Sequence, residues 1–260
     1  MLSSIFFLPL PDGAMRRIRC PGFCVVIDHI SLPGFDVTAT DIVLCYTHME
    51  IEKRHIITIS GKPGSGKSST ADRVADMLNY TRHSSGDMVR ALLEERNMTL
   101  QEFNERAKTE HSLDEAIDEQ LRKLREKDYI VIDSRLGFFW LPESFKVYLD
   151  IDMDTAAARI YSDMQNNKKR DKGAGMMKDL GEVSWHVRKR MEEEQKRYRR
   201  LYGIDPYDST RFDLVVNTER HSPETVAITV FDEYKKWLKT RVWVPVYSEV
   251  PLGYSFKNQY

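Results

Sequence analysis

Residues 56–68 read IITISGKPGSGKS, an apolar run that leads directly into a glycine-rich turn. The turn has the spacing G-x-x-x-x-G-K-S between Gly61 and Ser68, and the residues that follow it place Ala71, Val74 and Leu78 at helical spacing. A bare glycine-rich motif also occurs in flexible loops. Strand, loop and helix in this order instead predict a phosphate-binding P-loop.

The residue types of this loop suit a phosphate chain. Glycines allow backbone conformations in which successive N–H groups point at an anion. Lys67 adds a compact positive charge, the hydroxyl of Ser68 suits a Mg²⁺ ligand, and the helix that starts there directs its positive dipole end at the same anion. The predicted nucleotide-binding residues are Gly61, Lys62, Pro63, Gly64, Ser65, Gly66, Lys67, Ser68 and Ser69.

The composition narrows the class of protein. The chain has 260 residues, 39 basic and 40 acidic, so its formal net charge is −1. This balance gives no indication of a nucleic-acid or membrane partner, and a monomer is expected. All three cysteines precede the P-loop, which suits a reducing cytoplasm. A zinc site at Cys20 and Cys24 is disfavoured because no second Cys/His pair lies nearby at a suitable spacing.

The sequence divides into three parts. Residues 1–48 are interpreted as an N-terminal extension that is over-translated or disordered, because Met49 opens the segment leading to the P-loop. Residues 49–239 form the P-loop domain, with a lid at about 166–190, and residues 240–260 are a C-terminal tail of unknown role.

Apolar strands alternate with helical segments after Met49, and this pattern predicts a three-layer α/β/α fold with a parallel sheet. Capping-box spacing predicts helix starts at Thr99 and Ser112. The other predicted elements are strands at 129–133, 145–151 and Leu214–Asn217, and helices at 154–166, 185–203 and 223–238.

Two short segments after predicted strands carry candidate ligands. In the first, Gly86 is expected to permit a tight turn, and Asp87 and Arg90 lie one helical turn apart, so they can share a ligand or pair with each other. In the second, Asp133 and Arg135 lie at the carboxyl end of a strand, where ligands of open α/β sheets bind. Asp133 is either a Mg²⁺ carboxylate or a turn former. Arg135 is expected to bind an acceptor phosphate.

The third candidate segment is a lid followed by an arginine-rich helix. Residues 166–181 are polar and interrupted by glycines, which suits a lid that closes and excludes water. The helix at 185–203 carries Arg188 and Arg190, which would arrive with the lid. A solvated helix with i,i+4 ion pairs, such as Glu193 with Arg197, explains some of its charges equally well.

In combination these motifs resemble the nucleoside monophosphate kinases, and most closely the cytidylate kinases of the archaeal type. The resemblance covers roughly residues 56–238. It rests on residues 59–68, 85–90, 100–104, Ile117 with Asp118, 134–136, Arg188 with Arg190, Arg197 with Tyr198, and 202–205. Two features depart from that family: Ser134 stands where a glycine is more usual, and the segment 168–181 is longer than the expected lid.

The resemblance implies transfer of the γ-phosphoryl group of ATP to CMP or dCMP, giving CDP or dCDP plus ADP, with Mg²⁺. It implies a P-loop kinase fold with a helical lid, and these site residues: Lys67, Arg135, Arg188 and Arg190 for catalysis; Ser68 and Asp133 for the metal; and Ser85, Gly86, Asp87, Arg90, Asp118, Arg135 and Asp205 for the acceptor. Two alternatives remain open, a kinase of another small metabolite and a non-catalytic ATP-binding regulatory module. A nucleic-acid-dependent ATPase is disfavoured by the neutral charge balance.

Overall fold

The computed structural model describes residues 4–9, 15–20, 25–26, 43–44, 53–107, 110–166, 179–240 and 243–248. The chain divides into two units, Met1–Ile51 and Glu52–Tyr260. In the first unit, β1 (Ser4–Pro9) pairs antiparallel with β2 (Met15–Cys20), and β3 (Val25–Val26) pairs antiparallel with β4 (Val43–Leu44).

The second unit is built on a parallel sheet. Among the described residues its six strands are β5 (Ile56–Gly61), β6 (Thr81–Ser84), β7 (Ile130–Asp133), β8 (Phe145–Asp150), β9 (Leu214–Asn217) and β10 (Val246–Ser248). Their order is β10-β9-β8-β5-β7-β6, and every neighbouring pair is parallel. The P-loop strand β5 therefore lies inside the sheet, between β7 and β8.

Helices connect the strands. In the described residues they are α1 (Lys67–Leu78), α2 (Ser85–Glu95), α3 (Leu100–Arg106), α4 (His111–Lys123), α5 (Gly137–Trp140), α6 (Met153–Asn166), α7 (Leu180–Tyr202) and α8 (Pro223–Lys239). None of them is both long and apolar enough to cross a membrane.

The sheet is covered on both faces because its strands are apolar on both faces. Ile57 and Ile59 of β5 pack in one cluster with Val74 of α1 and Trp237 of α8. Ile56 belongs to a second cluster, which contains residues of α2, α3 and α4 such as Leu113. Successive residues of a strand point to opposite faces, so β5 divides two cores and gives the expected three-layer α/β/α fold.

Most predicted elements agree with the structure. The long helix ends at Gly203 as predicted, in a left-handed conformation, but it begins at Leu180, five residues before the predicted start. The capping box at Thr99 and Glu102 is present. The predicted helix start at Ser112 is wrong: α4 begins at His111 after Glu110, which has extended backbone. Ser112 is thus already inside the first helical turn, where its hydroxyl cannot cap.

The tail and the lid are described only in part. Val246–Ser248 of the tail forms β10, which pairs with β9 at an edge of the sheet. Residues 249–260 of the tail and 167–178 of the lid lie outside the described residues, as do Cys24 and Cys45. The lid prediction therefore meets the structure only at its two ends, Asn166 of α6 and the first turns of α7.

Candidate active site

The P-loop follows the central strand at the carboxyl edge of the sheet and has the conformation that its glycines predict. Gly64 and Gly66 have φ of 74° and 84°, and Gly61 has φ of 143°. A Cβ at Gly61 would lie 2.2 Å from the Leu149 carbonyl oxygen, and one at Gly64 would lie 2.7 Å from that of Ala156. These two glycines therefore allow close backbone approach as well as the loop conformation.

The N-terminus of α1 has features that favour binding of an anion. The N-cap residue is Gly66, which offers no side-chain cap, and the first turn contains no acidic residue. The hydroxyl of Ser65 is buried and has no hydrogen-bond partner. A helix N-terminus with free N–H groups, next to an orphaned buried hydroxyl, fits a phosphate group.

Lys67 lies within this loop. Its Nζ donates a 2.7 Å hydrogen bond to the Lys62 carbonyl oxygen. Burial, followed by the nearby charge of Arg135, lowers the pKa of Lys67 to about 7. The side chain of Lys62 points elsewhere: its Nζ lies 2.7 Å from an Asp150 carboxylate oxygen. Of the two lysines, only Lys67 therefore has its ammonium group within the loop.

Ser68 and Asp133 form an oxygen pair beside the loop. The Ser68 hydroxyl donates a 2.6 Å hydrogen bond to Asp133 Oδ2, and Asp133 is buried at the end of β7. Hydroxyl and carboxylate oxygens are ligands that Mg²⁺ accepts, directly or through water. The pair therefore fits the metal that sequence analysis assigns to it.

A buried carboxylate joins the arginines of the site. Glu194 of α7 lies 2.7 Å from Arg135 Nε and 3.0 Å from Arg190 Nε, and it accepts a 2.5 Å hydrogen bond from the Tyr207 hydroxyl. Burial alone would raise the pKa of Glu194, but Arg135 and Arg190 hold it well below its ordinary value. Conversely, the Glu194 carboxylate raises the pKa of Arg135 against the effect of burial. Glu194 and Arg135 are therefore both charged at neutral pH.

Arg188 lies apart from this cluster. Its guanidinium is 2.7 Å from Asp154 in the first turn of α6. The sequence predicts that Arg188 and Arg190 both arrive with the lid, and the structure gives them different carboxylate partners. Because residues 167–178 join α6 to α7, the pair of Arg188 with Asp154 connects the two described ends of the lid.

The predicted acceptor residues after β6 are arranged differently from expectation. Gly86 forms no turn: it lies inside α2, where a Cβ would be 3.5 Å from the Arg90 guanidinium. The turn is unnecessary because β6 ends at Ser84, whose side chain caps α2 directly. Arg90 and Asp87 form an exposed ion pair with each other. The Ser85 hydroxyl donates to the Asp133 carbonyl oxygen at 3.3 Å.

The two remaining acceptor candidates are engaged with the protein. Asp118 accepts hydrogen bonds from Trp140 Nε1 at 2.9 Å and from the Tyr202 hydroxyl, and burial raises its pKa. It also lines a cavity of about 170 Å³ between α4 and the end of α7. Asp205 lies 2.7 Å from the Arg199 guanidinium and accepts from the backbone N–H of Tyr207.

Three residues of this region are not predicted by the sequence motifs: Glu194, Tyr207 and Arg82. Glu194 follows Arg190 by four residues, the spacing at which helical side chains meet, and this was the available signal. Tyr207 and Arg82 lie in a loop and in a strand, where no periodicity points to a site. Ser134, which departs from the family pattern, is buried, and its hydroxyl accepts a 3.3 Å hydrogen bond from the Leu136 N–H.

Comparisons with known proteins agree with this geometry. A family model described as the cytidylate kinase-like family matches residues 56–220. The cytidylate kinase of Halobacterium salinarum is 39% identical over 180 residues, 68% of this chain and 88% of that protein. The cytidylate kinase of Haloarcula marismortui is 37% identical over 174 residues, 66% of this chain and 84% of that protein.

Among solved structures, shikimate kinase from Acinetobacter baumannii superposes with a TM-score of 0.50 at 13% identity, over 72% of this chain and 96% of that one. At this identity the likeness shows the fold alone, a P-loop kinase fold. The family model and the relatives at 37–39% identity show that the chain belongs to the cytidylate kinase-like family and is a nucleotide kinase.

Proposed function

We propose that the enzyme transfers the γ-phosphoryl group of Mg-ATP to CMP or dCMP, giving ADP and CDP or dCDP. One observation carries the proposal: the P-loop and the buried ion pair of Arg135 with Glu194 lie at the same edge of the sheet. The Ser60 hydroxyl, directly before the P-loop, donates a 3.3 Å hydrogen bond to the Arg135 carbonyl oxygen, so the two features are neighbours. Cationic groups for two phosphate chains are thus available in one site, and the relatives named above are cytidylate kinases.

The donor side is assigned to the P-loop. Backbone N–H groups of residues 61–69, apart from Pro63, surround the β-phosphate, and Lys67 stabilises the β and γ oxygens. Ser68 and Asp133 hold Mg²⁺, which supplies neutralisation of the phosphate charge. When the nucleotide binds, the Lys67 Nζ donates to its phosphate oxygens instead of to the Lys62 carbonyl oxygen.

The acceptor side is assigned to Arg135, with Arg90 as a second cation. The acceptor phosphate oxygen attacks in line, so no side chain needs to act as a nucleophile, and catalysis consists of positioning and charge stabilisation. Arg188 and Arg190, on the part of α7 that falls within the predicted lid, stabilise the transferring group. Asp87, Asp118 and Asp205, with Ser85 and Gly86, complete the proposed acceptor site.

In the proposed reaction, phosphate groups replace carboxylates as the ion-pair partners of two arginines. Arg90 is paired with Asp87, and Arg188 with Asp154, both at exposed positions. Exposed ion pairs contribute little to stability, about 0–1 kcal/mol, so a phosphate can displace these carboxylates at low cost. Arg135 is different: its partner Glu194 is buried, and its guanidinium is held in place before any phosphate binds.

A coupled ADP-release assay tests the proposal. Mg-ATP is combined with CMP, dCMP, UMP, AMP, GMP or no acceptor, and we expect turnover with CMP or dCMP far above the other rates. Lys67→Ala should abolish turnover, whereas Lys196→Ala, a matched change on the exposed face of α7, should not. ATP binding without any acceptor-dependent turnover would instead favour a non-catalytic module. Turnover with another acceptor only would replace CMP in the proposal.

We take the partners to be small-molecule nucleotides, without nucleic acid or membrane, acting on a monomer in the cytoplasm, where ATP is abundant. Sedimentation of the purified chain with and without nucleotides tests the monomer: a species of twice the mass would contradict it.

A further inference from the structure

Arg82 is a residue of β6 for which neither the fold nor the proposed reaction gives a role. Its guanidinium is adjacent to three carboxylates from three different elements: Asp72 of α1 at 3.0 Å, Asp133 of β7 at 3.3 Å and Asp87 of α2 at 3.4 Å. About a quarter of the Arg82 side chain is exposed. The Arg82 guanidinium thus forms ion pairs with three carboxylates at the edge of the candidate active site.

Two donors converge on one oxygen of Asp133. Its Oδ2 accepts the Ser68 hydroxyl at 2.6 Å and the Arg82 guanidinium at 3.3 Å. This is the carboxylate that would hold Mg²⁺ in the proposed function, on which the present inference rests. A guanidinium on the same oxygen offsets part of the negative charge that attracts the metal.

The other two partners allow Arg82 to release Asp133. Asp72 and Asp87 are both more than half exposed, whereas Asp133 is buried. If the Arg82 contact with Asp133 is lost, two ion pairs remain to the guanidinium, so the charge is not left isolated. An arginine held by one carboxylate alone would not have this freedom.

We propose that Arg82 is a positioning residue that binds Asp133 when the metal is absent and thereby sets the affinity of the site for Mg²⁺. The metal must displace the guanidinium from Oδ2, so the observed metal affinity is the difference between two cations competing for one carboxylate. When Mg²⁺ is bound, Arg82 keeps its ion pairs with Asp72 and Asp87. Asp87 is also the partner of Arg90 on the acceptor side.

The test measures metal binding without an acceptor. Thermal unfolding is followed at a fixed, saturating concentration of ADP while MgCl₂ is varied, and the Mg²⁺ concentration at half-maximal stabilisation is read out. We expect Arg82→Gln to lower this concentration by about threefold or more, since removing one unit charge next to the metal relieves a repulsion even at an effective dielectric constant of ~20. Arg82→Lys, which keeps the charge, should remain near the wild type.

A matched control is Arg73→Gln, which removes a positive charge from α1 at a side chain that pairs with Glu224. This variant should leave the Mg²⁺ midpoint unchanged. A midpoint in Arg82→Gln that is unchanged or higher would overturn the proposal, because a purely structural ion pair predicts a change in unfolding temperature at all Mg²⁺ concentrations and no shift of the midpoint.

A second variant covers the case in which Arg82→Gln does not fold. Asp72→Asn, at an exposed position, removes one competing carboxylate and should strengthen the hold of Arg82 on Asp133, which raises the Mg²⁺ midpoint above that of Asp76→Asn, an equal change of charge on the same helix. Equal midpoints in these two variants would count against the proposal. If wild-type stabilisation by ADP does not depend on Mg²⁺ at all, the metal site of the proposed function fails instead.

Discussion

Glu194 holds the Arg135 guanidinium at 2.7 Å, and both side chains are largely excluded from solvent. Arg135 follows a strand of the sheet, whereas Glu194 belongs to the long helix α7, whose first turns fall within the predicted lid. The ion pair therefore ties the proposed acceptor-binding arginine to the element that the lid would move. Because Glu194 also contacts Arg190, one carboxylate orients two of the arginines proposed for catalysis.

Arg135→Ala should lower kcat/KM for CMP by about 10²–10³, the usual effect of removing one preorganised charge-stabilising group. The affinity for ATP should be nearly unchanged because the partner of Arg135 is the acceptor phosphate. Steady-state kinetics and ATP titration check both outcomes. A parallel loss of ATP affinity would move Arg135 to the donor side.

The same substitution breaks a buried ion pair, so its effect on folding needs a control. Removing one partner of such a pair costs up to about 3–5 kcal/mol, here reduced by the remaining contact of Glu194 with Arg190. The double variant Arg135→Met with Glu194→Met removes both charges and should regain stability without regaining activity. Activity that returns together with stability would show that Arg135 acts only on the fold.

Glu194→Gln should lower kcat about tenfold without weakening the binding of the acceptor nucleotide. The neutral amide keeps the shape of the side chain but no longer orients two guanidinium groups, while the net positive charge facing the phosphates increases. Kinetics with CMP give kcat and KM separately. Glu192→Gln, an exposed position on the same helix, is the matched control. A raised KM with unchanged kcat would contradict the positioning role.

Lys67 should make the stability of the empty enzyme depend on pH. Its pKa is about 7 in the folded chain against an ordinary value of 10.5, so between these values the unfolded state binds more protons. Stability contributed at this position therefore rises as pH rises from 7 to 10.5. Lys67→Met removes the buried charge and should be more stable than the wild type at pH 7.

Urea unfolding without nucleotide at pH 7, 8.5 and 10 measures this difference, and the advantage of Lys67→Met should shrink as pH increases. Lys196→Met, at an exposed position, should show no such trend. A constant difference between the wild type and Lys67→Met across the pH range would mean that the ammonium group keeps its ordinary pKa in the folded chain.

The P-loop glycines should differ in their tolerance of alanine. A Cβ at Gly66 would have no atom within 4 Å, so Gly66→Ala should cost only the strain of placing alanine in a left-handed backbone conformation, about 1–2 kcal/mol. Gly61→Ala places a Cβ against the Leu149 backbone of β8 and should cost about 3 kcal/mol. Thermal unfolding measures the loss of stability in each variant. Equal losses would show that β5 and β8 can move apart to admit the Cβ without a cost in free energy.

The sequence predicts the elements of the fold well because their signals are local. The β5 run is apolar throughout, Thr99 has its capping partner three residues on, and Gly203 ends the long helix. Ser112 shows the limit of such signals: the spacing of a capping box recurs inside a helix that already begins at His111.

The site is predicted less completely because its contacts join distant parts of the chain. The P-loop is contiguous, so its residues and conformation follow from the motif. Glu194 and Tyr207 reach Arg135 from 59 and 72 residues away along the chain, and only the tertiary fold brings them there. Arg188 and Arg190 are two residues apart and therefore point to different sides of one helix, which a count of arginines does not reveal.

The central place of β5 has a consequence for synthesis of the chain. The strand that carries the P-loop pairs with β7 and β8, whose residues are translated about 70 to 90 positions later. Until those strands emerge, an apolar strand has no neighbour to accept its backbone hydrogen bonds. Such unpaired edges promote aggregation, so we expect the nascent chain to be prone to aggregation until β7 and β8 have been translated.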